Sequence, residues 1–262
     1  MLNELTLITI SYNSAEILPQ HLSSLDLAQL PEENRPQWLV VDNASADDSS
    51  ALVQRDFPLV QLIDNHDNVG FGAAANVGIQ AAQTRYVMIL NPDTILSPEA
   101  LQTLLSHIQS QPKVALVGPN VSHTPSRAPE PESVEWIVGA AMLFDTQRMA
   151  PIGFFDERFF LYYEETDLCH RIIDAGLEIL QCHDAAIPHS EGDSSGDTSN
   201  EFLLYHRGRS HVLISQKHPQ RYPSKAQYLK KQRQRMLIAR LTFNKKRFTA
   251  AKAKLKGALS VD

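Results

Sequence analysis

Four short apolar runs in the N-terminal part of the chain each end in a polar turn, and helix-like sequence follows each turn. The runs are Leu5 to Ile10, Trp38 to Val41, Val60 to Ile63 and Tyr86 to Leu90. Strands that alternate with helices at this spacing predict an α/β fold with parallel strands and right-handed crossovers. This pattern constrains the chain most, because it places the strand-ending turns at one edge of a sheet, where such folds bind ligands.

The fourth run stops at Asn91, Pro92 and Asp93. Proline has no N–H to give to a strand ladder, so Pro92 marks the point where the strand leaves the sheet. The sequence therefore predicts that the Asp93 carboxylate lies at the ligand-binding edge. A simple helix-capping role for Asp93 or Thr94 is the alternative.

Polar residues also follow the other three runs. Ser11 and Asn13 follow the first, Asp42 and Asn43 follow the second, and the third leads into the glycine-rich segment NHDNVGFGAAANVG. The glycine spacing in that segment differs from G-x-G-x-x-G, and Asp42 precedes it instead of following it, so a Rossmann dehydrogenase is disfavoured. Gly70 still permits close backbone approach to a phosphate or sugar. Tight helix packing by small residues is the alternative.

The remaining pattern predicts further helices and strands. Helices are expected over 15–27, from about 47 to 56, and from the glycine-rich segment to about 83. Further helices are expected over 98–110, 164–175 and 202–215, and from 225 onward. Strands are expected over 114–117, in WIVGAAMLF and over 179–182, and the Pro- and Ser-rich segment 122–133 is expected to be a mobile surface loop.

Two later segments carry candidate chemistry. The aromatic run from Phe159 to Tyr163 is typical of a buried strand or pocket wall, and Glu164 and Glu165 then open a helix. Acids in a first helical turn can simply complement the helix dipole. His189 begins a Gly-, Ser- and Asp-rich loop, which is interpreted as a flexible lid with one possible metal or phosphate ligand. A solvated surface histidine is the alternative.

Composition limits the class of protein. With 262 residues, 43% of them hydrophobic, the chain can build a substantial core. No apolar run is as long as a membrane span, and the N-terminus enters a strand pattern without a basic leader, so we expect a cytoplasmic protein. Cys169 and Cys182 lack metal-ligand spacing and are expected to be reduced structural thiols.

Charge is unevenly distributed. From Lys225 onward there are 12 Lys and Arg and one acid, a net charge of +11; because the whole chain carries -6, the remainder carries -17. The basic segment also contains regularly spaced apolar residues. It is therefore expected to be an amphipathic helical element that binds an anionic partner, either a membrane surface, a nucleic acid or the acidic body itself, or that packs on the body.

Several motifs in order resemble those of inverting family 2 glycosyltransferases of the rhamnosyltransferase-like branch. The motifs are TISYNS, VVDNASAD, NVGFGAAANVG, LNPDT, FFLYYEETDLCHR and HSEGDSS, and the match runs from about Leu5 to His218. The resemblance implies a GT-A fold, in which a mostly parallel mixed sheet is flanked by helices. It divides the chain into a glycosyltransferase domain over 1–218 and a basic helical extension over 219–262.

The resemblance also assigns residues to roles. Asp93 matches the last acid of the family's D-x-D metal motif, whose first acid is replaced here by Asn91, and His189 matches a metal-coordinating histidine, so Mg²⁺ or Mn²⁺ is expected. Glu165 is expected to be the catalytic base, with Glu164 as a possible partner in that role. The expected nucleotide-sugar contacts are Ser11, Asn13, Asp42, Asn43, Asn68, Gly70, Asn76, Asn91 and Arg209.

The implied function is transfer of a hexose such as rhamnose from a nucleotide diphosphate sugar to a saccharide or lipid-linked acceptor in surface polysaccharide synthesis. The basic tail would then associate peripherally with the inner face of an anionic membrane, no nucleic acid partner is expected, and the oligomeric state stays open. The alternatives are an inactive sugar-nucleotide-binding or scaffold protein and a nucleotidyltransferase. The latter is disfavoured because TISYNSAE, after the first strand, has neither glycine nor lysine.

Overall fold

The computed structural model describes residues 1–122, 130–189 and 200–262. These residues form two compact units. The first contains the described residues of Met1–Phe155 and Leu168–Ser190, and the second contains those of Asp156–Asp167 and Glu191–Asp262. The helix that precedes position 218 belongs to the same compact unit as the basic tail, and the expected domain boundary at 218 stays a prediction.

Within the described part of the chain, the first unit is built on one eight-stranded sheet with the order β3-β2-β1-β4-β7-β5-β8-β6. The strands are β1 (Leu5–Ser11), β2 (Gln37–Asp42), β3 (Gln61–Asp64), β4 (Tyr86–Leu90), β5 (Val114–Asn120), β6 (Glu132–Ser133), β7 (Ala141–Asp145) and β8 (Glu178–Ala186). β1 to β4 are parallel, whereas β7 is antiparallel to both β4 and β5. The sheet is therefore mixed, and the expected α/β fold class is confirmed.

Helices flank this sheet: α1 (Leu18–Ser23), α2 (Ser49–Asp56), α3 (Phe71–Ala81), α4 (Pro98–Ser110), α5 (Thr146–Met149) and α6 (Glu164–Asp174). The central strands are buried on both faces. Leu7, Val40 and Met88 belong to one core cluster, and Ile8 and Ile89 belong to the other. This explains why these strands are continuously apolar instead of alternating.

Small residues let α3 pack closely on the sheet. A Cβ atom at Gly78 would lie 2.3 Å from Cγ2 of Ile8. The close-packing alternative for the glycine-rich segment therefore holds at Gly78. It does not explain Gly70, which precedes α3 with φ of +88°, a conformation that favours glycine.

The second unit contains α7 (Glu201–Lys217), α8 (Lys225–Leu241) and α9 (Lys245–Leu259). Two glycines bring α7 and α9 together. A Cβ atom at Gly208 would lie 2.0 Å from the Lys254 carbonyl oxygen, and one at Gly257 would lie 1.9 Å from the Tyr205 carbonyl oxygen. The tail thus packs against α7, with a small core of Val212, Tyr228, Ala258 and Val261.

Three expected elements differ from the structure. The helix predicted over 15–27 is limited to α1, because Pro19 confines the helix start to the preceding residue and Asp26 begins a separate 3₁₀ turn by accepting a hydrogen bond from the Ala28 N–H. In WIVGAAMLF the strand begins only at Ala141. The run Phe159 to Tyr163 is not a strand, because Tyr162 and Tyr163 have φ of +70° and +68°.

The predicted loop over 122–133 lies partly outside the described residues, since 123–129 are not among them. At its end, Glu132–Ser133 forms β6 and pairs with β8. The predicted lid after His189 also lies outside the described residues, over 190–199. In the described ranges, no helix is both long enough and apolar enough to cross a membrane.

Both cysteines are buried and neither forms a disulfide, in agreement with the expected reduced thiols. Cys182 lies beside a hydrogen bond between His107 Nε2 and the Asp184 carboxylate, whose atoms are 2.8 Å apart. The Cys182 sulfur, the His107 nitrogen and an Asp184 oxygen lie within 4.8 Å of one another. Burial, reinforced by the charge of Asp184, raises the pKa of the Cys182 thiol to about 12. The thiol therefore stays protonated at neutral pH. We interpret the hydrogen bond between His107 and Asp184 as a contact that holds α4 against β8.

Candidate active site

A turn after β4 places Asp93 beside His189 in the first unit. The Thr94 N–H and hydroxyl both donate to the Asn91 carbonyl oxygen, at 3.3 and 2.9 Å, which closes the turn. The His189 Nε2 atom lies 3.0 Å from the Asp93 Oδ1 atom and 3.4 Å from the Asn91 amide nitrogen. The structure therefore brings Asn91 and Asp93 together with His189, which lies 98 positions after Asn91 in the sequence.

Backbone pairing explains how His189 reaches this turn. Thr94 and His189 form an isolated antiparallel bridge, and the Ile95 N–H donates to the Pro188 carbonyl oxygen at 2.9 Å. The His189 N–H donates to the Val121 carbonyl oxygen at 3.1 Å. These bonds hold the His189 ring against Asp93 through the main chain.

A buried histidine that the sequence analysis did not identify, His21, contacts the main chain of the turn that carries Asp93. His21 is fully buried, and its Nδ1 atom lies 2.7 Å from the Thr94 carbonyl oxygen. That oxygen can only accept, so Nδ1 carries the proton and Nε2 accepts from the Thr9 hydroxyl at 2.8 Å. The Trp38 indole N–H donates to the same hydroxyl at 3.0 Å. Every polar atom of this chain of contacts is thereby satisfied.

Burial lowers the pKa of His21 to about 4, against smaller opposing effects from the Thr94 carbonyl and the charge of Asp93. The imidazole is therefore neutral at physiological pH, in agreement with the proton arrangement deduced from its partners. The turn that carries Asp93 rests on an uncharged, fully hydrogen-bonded support.

The turns after β1 and β2 lock onto each other. Both Asp42 carboxylate oxygens accept hydrogen bonds from Ser45, one from its N–H and one from its hydroxyl, each at 2.7 Å. The Asn13 N–H donates to the Ser45 hydroxyl at 2.8 Å, and the Asn13 side chain accepts from the Ala46 N–H at 2.7 Å. Asp42 and Asn13 thus shape this part of the edge; their contact with a nucleotide stays a prediction.

Ser11 ends β1 directly opposite Asp42. Its hydroxyl oxygen is buried and has no hydrogen-bond partner among the described residues. Buried polar atoms without a partner are uncommon, so this one is a candidate contact for a bound molecule or water.

Asn43 organises the glycine-rich loop. Its side-chain oxygen accepts from the Val69 N–H at 3.1 Å, and its amide donates to the Asn68 side-chain oxygen at 2.9 Å. The Asn68 oxygen also accepts from the Gly70 N–H at 3.0 Å. The structure therefore brings three predicted binding residues together, with Asn43 holding the loop shape.

Asn76 has a different environment. Its amide donates to the Phe155 carbonyl oxygen at 2.9 Å, and its side-chain oxygen accepts from the Phe155 N–H at 3.1 Å. The side chain thus fixes the end of the first unit's main segment. Its expected nucleotide contact stays a prediction.

In the second unit, Glu164 and Glu165 begin α6. Glu164 is only 6% exposed, and its Oε2 atom is buried without a hydrogen-bond partner in the described residues. Burial, with a further contribution from the charge of Glu165, raises the pKa of Glu164 well above its ordinary value. Glu165 is only partly buried. The two adjacent carboxyl groups therefore lie in different environments.

Strained backbone precedes this pair. Two consecutive bulky residues, Tyr162 and Tyr163, adopt left-handed φ values, which cost roughly 1–3 kcal/mol each. The Arg207 guanidinium lies 4.5 Å from the centre of the Tyr162 ring, and the Tyr163 hydroxyl lies 3.1 Å from His211 Nδ1. Strain held in place by such contacts is typical of functional sites.

The residues after the acidic pair anchor it to α7. Asp167 is fully buried between Lys217 Nζ and His218 Nε2, each 2.8 Å from one of its oxygens. The sequence does not distinguish the role of Asp167 from those of Glu164 and Glu165, because all three are acids in the first turn of α6. Arg209 donates to the Arg158 carbonyl oxygen, and the Ser210 hydroxyl donates to the Leu161 carbonyl oxygen at 2.8 Å.

Comparison with known proteins identifies the class. The family described as glycosyl transferase family 2 matches residues 6–172. The chain is 25% identical over 268 residues to the N-acetylglucosaminyl-diphospho-decaprenol L-rhamnosyltransferase of Mycobacterium tuberculosis, covering 83% of this chain and 86% of that protein. It is 23% identical over 244 residues to the low-salt glycan biosynthesis hexosyltransferase Agl10 of Haloferax volcanii, covering 82% and 76%.

A solved structure with a similar fold is the mannosyltransferase PcManGT from Pyrobaculum calidifontis in complex with GDP-Man and Mn²⁺. The TM-score is 0.66 at 16% identity, over 98% of this chain and 73% of that one. The fold is therefore GT-A. The chain belongs to glycosyl transferase family 2, and it is a glycosyltransferase of the rhamnosyltransferase-like kind. This assignment removes the nucleotidyltransferase alternative, whereas a transfer assay decides between an active enzyme and an inactive sugar-nucleotide-binding protein.

Proposed function

We propose that this chain is a metal-dependent inverting enzyme that moves a hexose, such as rhamnose, from a nucleotide diphosphate donor to a hydroxyl of a saccharide or lipid-linked acceptor. The observation that carries the proposal is the contact between Asp93 and His189 at the carboxyl edge of the sheet. A relative that covers most of the chain acts, by its name, on a diphospho-decaprenol acceptor, which supports a lipid-linked acceptor here.

The donor set fits a divalent cation. A carboxylate oxygen of Asp93 and an imidazole nitrogen of His189 lie 3.0 Å apart, beside the amide of Asn91. Because imidazole is a better ligand for transition metals than for Mg²⁺, this pair favours Mn²⁺ over Mg²⁺. When bound, the cation would stabilise the negative charge that develops on the leaving diphosphate.

Glu165 is the proposed catalytic base, which takes the proton from the acceptor hydroxyl. Burial and the neighbouring charge raise the pKa of Glu164, so Glu164 keeps its proton to higher pH than an ordinary glutamate. We therefore assign the proton transfer to Glu165, the partly buried carboxylate of the pair. A single attack from the face opposite the leaving group inverts the anomeric configuration and needs no covalent enzyme intermediate.

The donor-binding residues are proposed to act at the edge formed by β1, β2 and β3. Ser11 offers a buried hydroxyl without a partner among the described residues, and the Asn43–Asn68–Gly70 network holds the glycine-rich loop in a fixed conformation. Asp42 and Asn13 would contact the nucleoside at the turns they stabilise. Asn76, on α3 after the glycine-rich loop, would contact the donor, and Arg209 would contribute a positive charge.

The test is a transfer assay with UDP-, GDP- and dTDP-sugars, Mn²⁺ and a lipid-linked saccharide acceptor. Asp93→Ala and Glu165→Gln should each lower turnover by about 100-fold or more, since a general base alone typically contributes 10² to 10⁴ in rate. Glu99→Gln, which removes an exposed acid at the start of α4, is the matched control and should keep wild-type turnover. Near-normal turnover in Asp93→Ala or Glu165→Gln would remove that residue from its role.

A further inference from the structure

The second unit contains two adjoining cavities of about 400 and 320 Å³, which share Gln232, Arg235 and Lys254 in their walls. These volumes are in the range of small-molecule sites. We refer to the pair as the basic cavity, because its walls carry five cationic side chains from α7, α8 and α9: Arg207, Lys231, Arg235, Arg247 and Lys254. Of the described residues that line it, none is acidic.

None of these five cations forms an ion pair with a carboxylate of the residues that the structure describes. Burial lowers the pKa of Lys254, and the charges of Arg207 and Arg235 lower it further. Repulsion among these groups therefore destabilises the charged form of Lys254. Close packing of α9 on Gly208 fixes the Lys254 main chain, so the helix cannot easily move the charge away. An anion bound in the cavity would relieve the repulsion.

Two buried polar atoms in the walls also lack partners among the described residues. Gln232 is 1% exposed, and its Oε1 atom has no hydrogen-bond partner among the described residues. The His211 Nε2 atom is also buried and also has no partner among them. Burial lowers the pKa of His211 to about 4, so this ring is neutral and does not add to the positive charge. Native proteins satisfy such atoms with a bound molecule or water. The cavity is thus preformed and electropositive, with two buried polar atoms that have no partner among the described residues.

We propose that the basic cavity binds the diphosphate group of a polyprenyl diphosphate-linked acceptor. This inference rests on the proposed function, which supplies a lipid-linked acceptor. Five cations, with no acidic residue among the described residues of the cavity walls, match the charge of a diphosphate better than that of a neutral sugar. Lys and Arg are residues that bind phosphate oxygens strongly. The diphosphate is the part common to all such acceptors, so a fixed site for it would place the variable saccharide for reaction.

The test uses matched charge variants of the full-length protein. One triple variant, Lys231→Gln, Arg235→Gln and Lys254→Gln, removes three cations from the cavity walls. The other, Lys230→Gln, Arg233→Gln and Lys252→Gln, removes three exposed cations from the same helices that do not line it. Both change the net charge by the same amount, so a general electrostatic attraction is affected equally in both.

Binding of farnesyl diphosphate, a short polyprenyl diphosphate, is measured by calorimetry, with inorganic pyrophosphate as competitor. The wall variant should bind it about 100-fold more weakly than wild type, because several charge-assisted contacts are lost, whereas the control should remain within about threefold. Pyrophosphate should compete, and binding of a nucleoside diphosphate with Mn²⁺ should be unchanged in both variants, which also verifies that they are folded.

Equal loss in the two triple variants, or farnesyl diphosphate binding that pyrophosphate does not displace, would overturn the inference. Sedimentation with phosphatidylcholine–phosphatidylserine vesicles provides a second comparison: equal reduction in both variants marks general attraction to anionic lipid, separate from the cavity. If the wall variant loses farnesyl diphosphate but the wild type transfers no sugar, the diphosphate site stands and the proposed function fails. If transfer occurs while the two variants bind equally, the inference alone fails.

Discussion

Glu164 is a carboxyl group that the fold keeps in an unfavourable environment. Its pKa in the folded protein lies above the ordinary value of 4.5, because of burial and then of the charge of Glu165. Its contribution to stability is therefore fully present below about pH 4.5 and is lost as the pH rises through the raised pKa. A buried group that destabilises the folded protein at neutral pH is typical of a functional site.

Glu164→Gln should raise the melting temperature at mildly alkaline pH and change it little near pH 4, since glutamine has no charge to bury. Thermal unfolding followed by circular dichroism across this range tests the expectation. Glu99→Gln, at an exposed position, should leave the pH profile unchanged. If Glu164→Gln and wild type lost stability equally with rising pH, the conclusion that Glu164 has a raised pKa in the folded protein would be contradicted.

The sequence predicted the residues that end strands but not those that support them. Asp93 could be found because an apolar run stops at a carboxylate. His21 could not, because its partner Thr94 is 73 positions away and no local pattern links them. Gln232 is a similar case: it is one of many polar residues in a basic helix, and only packing reveals that it is buried.

At the scale of elements, the last turns of α8 and the turn that follows it expose apolar side chains. Phe243 is 93% exposed and Leu241 is 71% exposed, and Leu237 and Ile238 are also exposed. Basic residues surround them in sequence: Arg240, Lys245, Lys246 and Arg247. Exposed apolar residues flanked by cations suit the surface of an anionic membrane, and we refer to this group as the apolar tip.

Removing the apolar tip should weaken membrane association. The double variant Leu241→Ser and Phe243→Ser is expected to sediment less with phosphatidylcholine–phosphatidylserine vesicles, because it keeps every charge and loses the side chains that would enter the interface. Leu259→Ser, at another exposed leucine in α9, is the matched control. Equal sedimentation of wild type and the double variant would show that the tip does not contact the membrane.

The sequence predicted most elements of the first unit because their signals are local. The side chain of Ser97 accepts a hydrogen bond from the Ala100 N–H and Pro98 is the first helical residue, so the start of α4 has a clear local signal. The predicted range 98–110 matches the observed helix. The antiparallel direction of β7 had no local signal. It depends on pairing with β4 and β5, whose residues are distant in sequence. The packing of α8 and α9 on α7 likewise depends on Gly208 and Gly257, which composition alone does not distinguish from other glycines.

At the scale of the whole molecule, the order of the strands explains why distant motifs form one edge. β2, β1 and β4 are neighbouring parallel strands that end at the same side of the sheet. Asp42 and Ser11, which end β2 and β1, and Asn91, which follows β4, therefore lie at one edge. Strand alternation predicted this much. His189 joins the edge through the bridge with Thr94, which no spacing in the sequence indicates.

The most direct test of the account is a titration of Mn²⁺ by electron paramagnetic resonance, in which bound Mn²⁺ loses the signal of the free ion. With a nucleoside diphosphate present, the wild-type protein should bind one Mn²⁺. Asp93→Asn and His189→Gln should each weaken that binding by at least about tenfold, the loss typical of removing even an outer partner of a metal ligand. Glu99→Gln should bind as wild type does. Wild-type Mn²⁺ affinity in Asp93→Asn would contradict the central claim that the turn after β4 binds the metal ion and the diphosphate of the sugar donor.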